Sequence, residues 1–146
     1  MEHIEDDSIK LLRECNAGVK MGASSIEDVL DHVQSAALLG ILKDSHDIHC
    51  QLGNKTHELL EKYQDDGKEP AAMAKVMSKF KTELKTMGDD PDHGIADLIT
   101  DGCNMGIKSL YQYLNEYPAA DKEIIHLTKD IISTEEKLLK ALRPYL

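Results

Sequence analysis

Apolar residues recur at every third or fourth position through almost the whole chain, and that period commits it to helices. Ile9, Leu12, Asn16, Val19, Ala23, Ile26, Leu30 and Val33 form the row of a first segment. Leu38, Leu42, Ser45, His49, Leu52, Thr56, Leu59 and Tyr63 form it in a second. Met73, Val76, Met77, Phe80, Leu84 and Met87 share one face of a shorter third segment, lysine-rich on its other side. Ala96, Thr100, Cys103, Ile107, Leu110, Leu114 and Tyr117 continue the pattern in a fourth. Ile124, Leu127, Ile131, Thr134, Leu138, Ala141 and Tyr145 complete it in a fifth. No strand-like alternation of useful length intervenes.

Turn chemistry breaks the pattern at Gln64–Pro70, Gly88–Asp92 and Tyr117–Asp121, more weakly at Gln34-Ser35, and Pro144 ends it. Five helices are expected, over 5–33, 36–63, 70–87, 92–117 and 120–143. Ser35 is placed to cap the second and Pro70 to open the third. Gly18 and Gly22 lie inside the first segment, where Ser24-Ser25-Ile26-Glu27 also resembles a capping box. The apolar row keeps its phase across the glycines. One long helix is therefore expected, the glycines permitting close helix approach at about 1 kcal/mol each relative to alanine.

A chain of 146 residues fits one domain, spanning 1–146, with length enough for a single core. Aromatic residues make up only 4%, with no Trp and one Phe, so that core must be aliphatic. Acidic residues outnumber basic ones 27 to 17, and the net charge of -10 argues against nucleic acid and an anionic membrane as partners. No apolar run approaches the roughly 20 residues of a membrane span, and the acidic start is unlike a signal peptide. A soluble cytoplasmic protein is expected. Cys15, Cys50 and Cys103 are widely separated, which indicates neither a disulfide framework nor a zinc ribbon.

One hexapeptide returns. Cys15-Asn16-Ala17-Gly18-Val19-Lys20 is echoed by Cys103-Asn104-Met105-Gly106-Ile107-Lys108, each copy in the first helix of a long helix pair. A repeated hairpin joined by a crossover that carries an extra helix is one route to a four-helix bundle. On the stretches Leu11–Gly22, Phe80–Asp90 and Ile99–Tyr111, the chain resembles the ferritin-like superfamily, most closely a bacterial group of uncharacterised ferritin-like proteins. The resemblance covers most of residues 9–143. It implies an all-α, ferritin-like antiparallel four-helix bundle with a short accessory crossover helix.

Metal-binding ferritin-like proteins use one Glu on each of two helices and a Glu-x-x-His pair on each of the other two. Here the matching inward positions are Asn16 and Asn104, neutral amides that remove two bridging carboxylates. Neither partner helix has Glu-x-x-His in its middle; Glu123-x-x-His126 sits near a helix start. No conventional di-iron site, catalytic residue or cofactor is expected. His46 and His49, three apart on the second helix, are the most distinctive pair. With Glu14, Cys50 or Asp101 nearby they offer a ligand set for iron, zinc or another transition metal. The competing reading is a polar core of Asn16, His49 and Asn104, joined by Ser45 and Thr134, that fixes helix register. Asp28 with His32, His57 with Glu61, and His126 with Asp130 are spaced as exposed helix pairs. Tyr111, Tyr113 and Tyr117 read as core packing or a dimer contact.

These observations lead to a non-enzymatic stress-associated or structural interaction protein, a homodimer or the partner of another protein. A metal-binding bundle is one alternative. Another is a partner-binding module in which the methionine face of the helix over 70–87 docks elsewhere.

Overall fold

The computed structural model describes residues 2–65, 67, 71–85 and 87–146. Among them are five α-helices and no strand: α1 (Glu2–Val29), α2 (Ala36–Lys62), α3 (Ala71–Lys85), α4 (Pro91–Glu116) and α5 (Lys122–Leu142), the last starting two residues later than its apolar pattern suggested because Asp121 caps it. Single 3-10 turns follow α1 at Leu30–His32 and α5 at Arg143–Tyr145. Pro70 and the side chain of Met73 lie outside the described residues. No described helix is long and apolar enough to cross a membrane.

The helix starts follow from their caps. Ser35 accepts from the Leu38 amide and Asp90 from that of His93, with Pro91 in the first turn of α4. Asp121 accepts from the Glu123 amide. Each cap satisfies an amide that the first helical turn leaves without a partner. Helix α1 runs unbroken through Gly18, Gly22 and the Ser24–Glu27 stretch. It stops at Val29 rather than Val33, where the chain tightens into the 3-10 turn before Ser35.

Side-chain contacts fix the helix directions. The Thr56 hydroxyl meets Asn16, and His49 abuts Gly22, so α2 runs back along α1. His93 approaches the Tyr145 carbonyl while Cys103 lies beside Glu135, so α5 runs back along α4. Cys15 meets Thr128 and Ser8 meets the Asp121 amide at the same sequence offset of 113, so α1 and α5 run the same way. The two hairpins brace each other's turns. Asp92 at the start of α4 accepts from the Gln34 and Ser35 amides at 2.8 and 2.9 Å. Asp7 and Ser8 near the start of α1 accept from the Ala119 and Asp121 amides at 2.9 and 2.7 Å.

The core has two apolar ends. Leu11, Leu12, Leu59, Leu60, Ile124 and Leu127 belong to one, and Ile26, Val29, Leu38, Leu42, Ile95 and Leu142 to the other. Burying a Leu or Ile side chain contributes about 1.5–3 kcal/mol, so these clusters supply most of the drive to fold. Helix α3 lies against α1 and α4. Its Phe80 and Leu84, with Met87 just beyond it, pack on the second cluster. The described members of the apolar face, Val76, Met77, Phe80, Leu84 and Met87, are half-buried, while Lys75, Lys79, Lys81 and Lys85 are exposed.

The repeated hexapeptide diverges at its asparagine. Asn16 is 3% exposed and accepts from the Thr56 hydroxyl at 2.8 Å. Asn104, expected in the same polar core, is exposed, which corrects that expectation. Helix α1 is touched by four other helices and buries a broad arc, whereas α4 meets α1, α3 and α5. The buried row of α4 is Ile95, Ala96, Ile99, Cys103 and Leu110. One residue past Cys103 is a turn of about 100° around the helix, which carries Asn104 out of the core.

Candidate functional site

Against both core clusters the helices leave a cavity of about 510 Å³, open to solvent along Gly18, Lys79, Asp101, Gly102 and Met105, bordered by α1, α3 and α4 and reaching α2 and α5 at its inner wall. Its origin is legible in four glycines. Gly18 and Gly22 on α1, and Gly102 and Gly106 on α4, are spaced four apart and all line it. A Cβ placed on Gly18, Gly102 or Gly106 would meet nothing within 4 Å. Two helices that present hydrogen atoms where others present side chains leave room between them. Ala17, Val19, Ile99, Leu110, Ile131 and Leu138 make much of the wall aliphatic, and Val76 and Phe80 of α3 cover it from one side.

Gly22 has a different role. A Cβ there would stand 2.7 Å from the His49 ring. The missing side chain admits the imidazole, which is 1% exposed. His49 Nδ1 lies 2.7 Å from the Ser45 carbonyl oxygen. A carbonyl can only accept, so Nδ1 carries a hydrogen and donates it. That fixes the ring, and Nε2 faces the Glu135 carboxylate in a short contact. One proton serves the pair on that side. Burial opposes the imidazolium, but the Glu135 hydrogen bond and charge outweigh it, and the Ser45 carbonyl assists. His49 is thereby held above its ordinary value.

Glu135 also meets the Cys103 thiol. Burial first, then the charge and polar contact of the carboxylate, push that thiol far up, so it stays protonated beside Glu135. Cys15 is its counterpart in the repeat. Its Sγ lies 3.2 Å from the Thr128 hydroxyl, which already donates to the Ile124 carbonyl, so the thiol is the donor. Burial pushes Cys15 up to about 11. Neither buried thiol is a thiolate at neutral pH, and neither is poised as a nucleophile.

The sequence-predicted site residues separate into two groups. Glu14, His49 and Asp101 line the cavity, Asp101 as an exposed residue and Glu14 half-buried against Tyr113. Burial raises Glu14 above the usual carboxylate range, and the Tyr113 hydroxyl beside it partly offsets this. His46 and Cys50 sit elsewhere on α2, with Cys50 Sγ 3.8 Å from His46 Nε2. Glu27 Oε2 is 3.9 Å from the same nitrogen. Among the described residues no three His, Cys, Asp or Glu side chains form a group that could hold a metal ion.

The expected network of Asn16, His49, Asn104, Ser45 and Thr134 is instead two separate contacts, Asn16 with Thr56 and His49 with Ser45 and Glu135. Thr134 bonds back to the Asp130 carbonyl. Glu135, which lines the cavity and meets His49, is the candidate residue that sequence reasoning missed. Its signal is its place between Ile131 and Leu138, at spacings of four and three, which sets a carboxylate on a core-facing row. Comparison with protein-family models, curated proteins and solved structures finds no match to this chain.

Proposed function

We propose that this chain binds a small, largely aliphatic molecule inside a ferritin-like four-helix scaffold, with α3 as the accessory crossover helix that covers the site. The observation that carries the reading is the roughly 510 Å³ aliphatic cavity with a buried His49–Glu135 couple in its inner wall. That volume lies within the range of small-molecule sites, which pair apolar walls with a few fixed polar groups. The order of the helices supports the scaffold: two antiparallel hairpins, linked through a segment that carries a further helix. Binding is favoured over turnover by the protonated state of Cys103 and by the pairing of His49.

Filling the cavity tests this. Nile red, a neutral dye that brightens in apolar surroundings, is expected to bind the wild-type chain saturably. The Gly18→Leu and Gly106→Leu double variant, with circular dichroism confirming its helices, is expected to lose that signal. An unchanged dye signal in the filled variant would place the dye on the surface and end the reading.

A further inference from the structure

We infer that the molecule held in this cavity is an aliphatic amine, its ammonium group at Glu14 and its chain along the aliphatic wall. The inference rests on the small-molecule reading above and adds the head group. Four carboxylates border the cavity, Glu14, Glu83, Asp101 and Glu135, against two cationic side chains, Lys79 and His49. Both cations are engaged: Lys79 Nζ is 3.8 Å from Glu83, and His49 pairs with Glu135. Among the described residues Glu14 and Asp101 make no ion pair, and of these two Glu14 is the half-buried one.

Glu14 stands one helical turn before Gly18, whose missing side chain leaves open space beside it. The Tyr113 hydroxyl beside it brings no charge. A carboxylate has about four acceptor sites, so most of this one's capacity remains for an ammonium donor. A desolvated carboxylate without a cation costs the fold stability, and an incoming ammonium offsets that cost with a charge-assisted hydrogen bond. An anionic head would meet carboxylates on several sides and approach a chain of net charge -10. The wall contributes two aromatic side chains, Phe80 and Tyr113, so an alkyl chain fits it better than a stacked ring.

The test compares n-octylamine, n-octanol and octanoate, one chain length with three head groups, by calorimetric titration of the full chain. The amine is expected to bind more than about tenfold tighter than the alcohol, as a hydrogen bond to a charged group implies, and octanoate weakest. Glu14→Gln is expected to bring the amine down to the affinity of the alcohol and leave the alcohol unchanged. If the alcohol or octanoate binds the wild-type chain as tightly as the amine, the head-group inference fails while the cavity reading stands. If none of the three binds, the cavity reading fails with it. The wild-type ranking decides the matter even if Glu14→Gln does not fold.

Discussion

Residues 15–20 and 103–108 carry nearly the same six residues, yet the fold uses them differently. Both cysteines are buried and both glycines line the cavity. Ala17 is 6% exposed and its counterpart Met105 is 53% exposed. Asn16 is inside with Thr56, and Asn104 is outside. Cys15 donates to a threonine hydroxyl on α5, and Cys103 lies beside a glutamate on the same helix. The first copy is embedded among four helices and lines the cavity through Cys15, Ala17, Gly18 and Val19. The second lines it through Cys103, Met105 and Gly106, near Glu135. A short repeat therefore specifies a local stripe of small residues, and the neighbours of each copy decide what the stripe does.

Three experiments would break or sharpen that contrast. The largest effect is expected at the carboxylate that distinguishes the second copy. Glu135→Leu leaves the buried His49 without its partner and should cost about 3 kcal/mol in denaturant unfolding. The double variant Glu135→Leu with His49→Leu should recover most of the loss, because two apolar groups replace two desolvated ones. A double variant as unstable as the single one would show that the pair holds the fold rather than the site. The same pair predicts a pH dependence. His49 is raised in the folded state above its ordinary 6.5, so its stabilising contribution is full below that pH and is lost as pH rises through the folded value. Thermal melts should show a decline on the alkaline side of 6.5 that the double variant lacks.

A smaller effect separates the glycines. Gly22→Ala forces a Cβ against the His49 ring and should cost about 1–3 kcal/mol, the range for overpacking. Gly106→Ala meets open space and should stabilise the helix by up to about 1 kcal/mol. Equal effects at the two positions would mean that α1 and α4 use their glycines alike. The smallest contrast is between the asparagines. Asn16→Ala removes the acceptor of the buried Thr56 hydroxyl and should cost about 1 kcal/mol, moderated because that hydroxyl also reaches the Gly53 carbonyl. Asn104→Ala should stay within about 0.5 kcal/mol of wild type, as exposed substitutions do. A matching loss at Asn104 would reveal a second buried role for the repeat.

Much of this protein was determined by the sequence alone. The 3-4 spacing sets five helices, because one period of the chain can bury only one continuous stripe. Ser35, Asp90 and Asp121 mark helix starts because their side chains accept the amides that a first turn leaves over. His49 stands in the apolar row of α2, and its burial was legible from that place. The exposed pairs His57 with Glu61 and His126 with Asp130 follow from spacing on one helix. Tertiary structure alone decided what lies between helices. Asn104 leaves the core because α4 meets fewer helices than α1 and buries a narrower arc. Glu135 becomes the partner of His49 from 86 residues away. The cavity is lined by glycines of two separate helices, and a Cβ on Gly18, Gly102 or Gly106 would meet nothing within 4 Å. Periodicity is a property of one segment and says which stripe turns inward. Which groups then meet there depends on how several such stripes are rotated against one another.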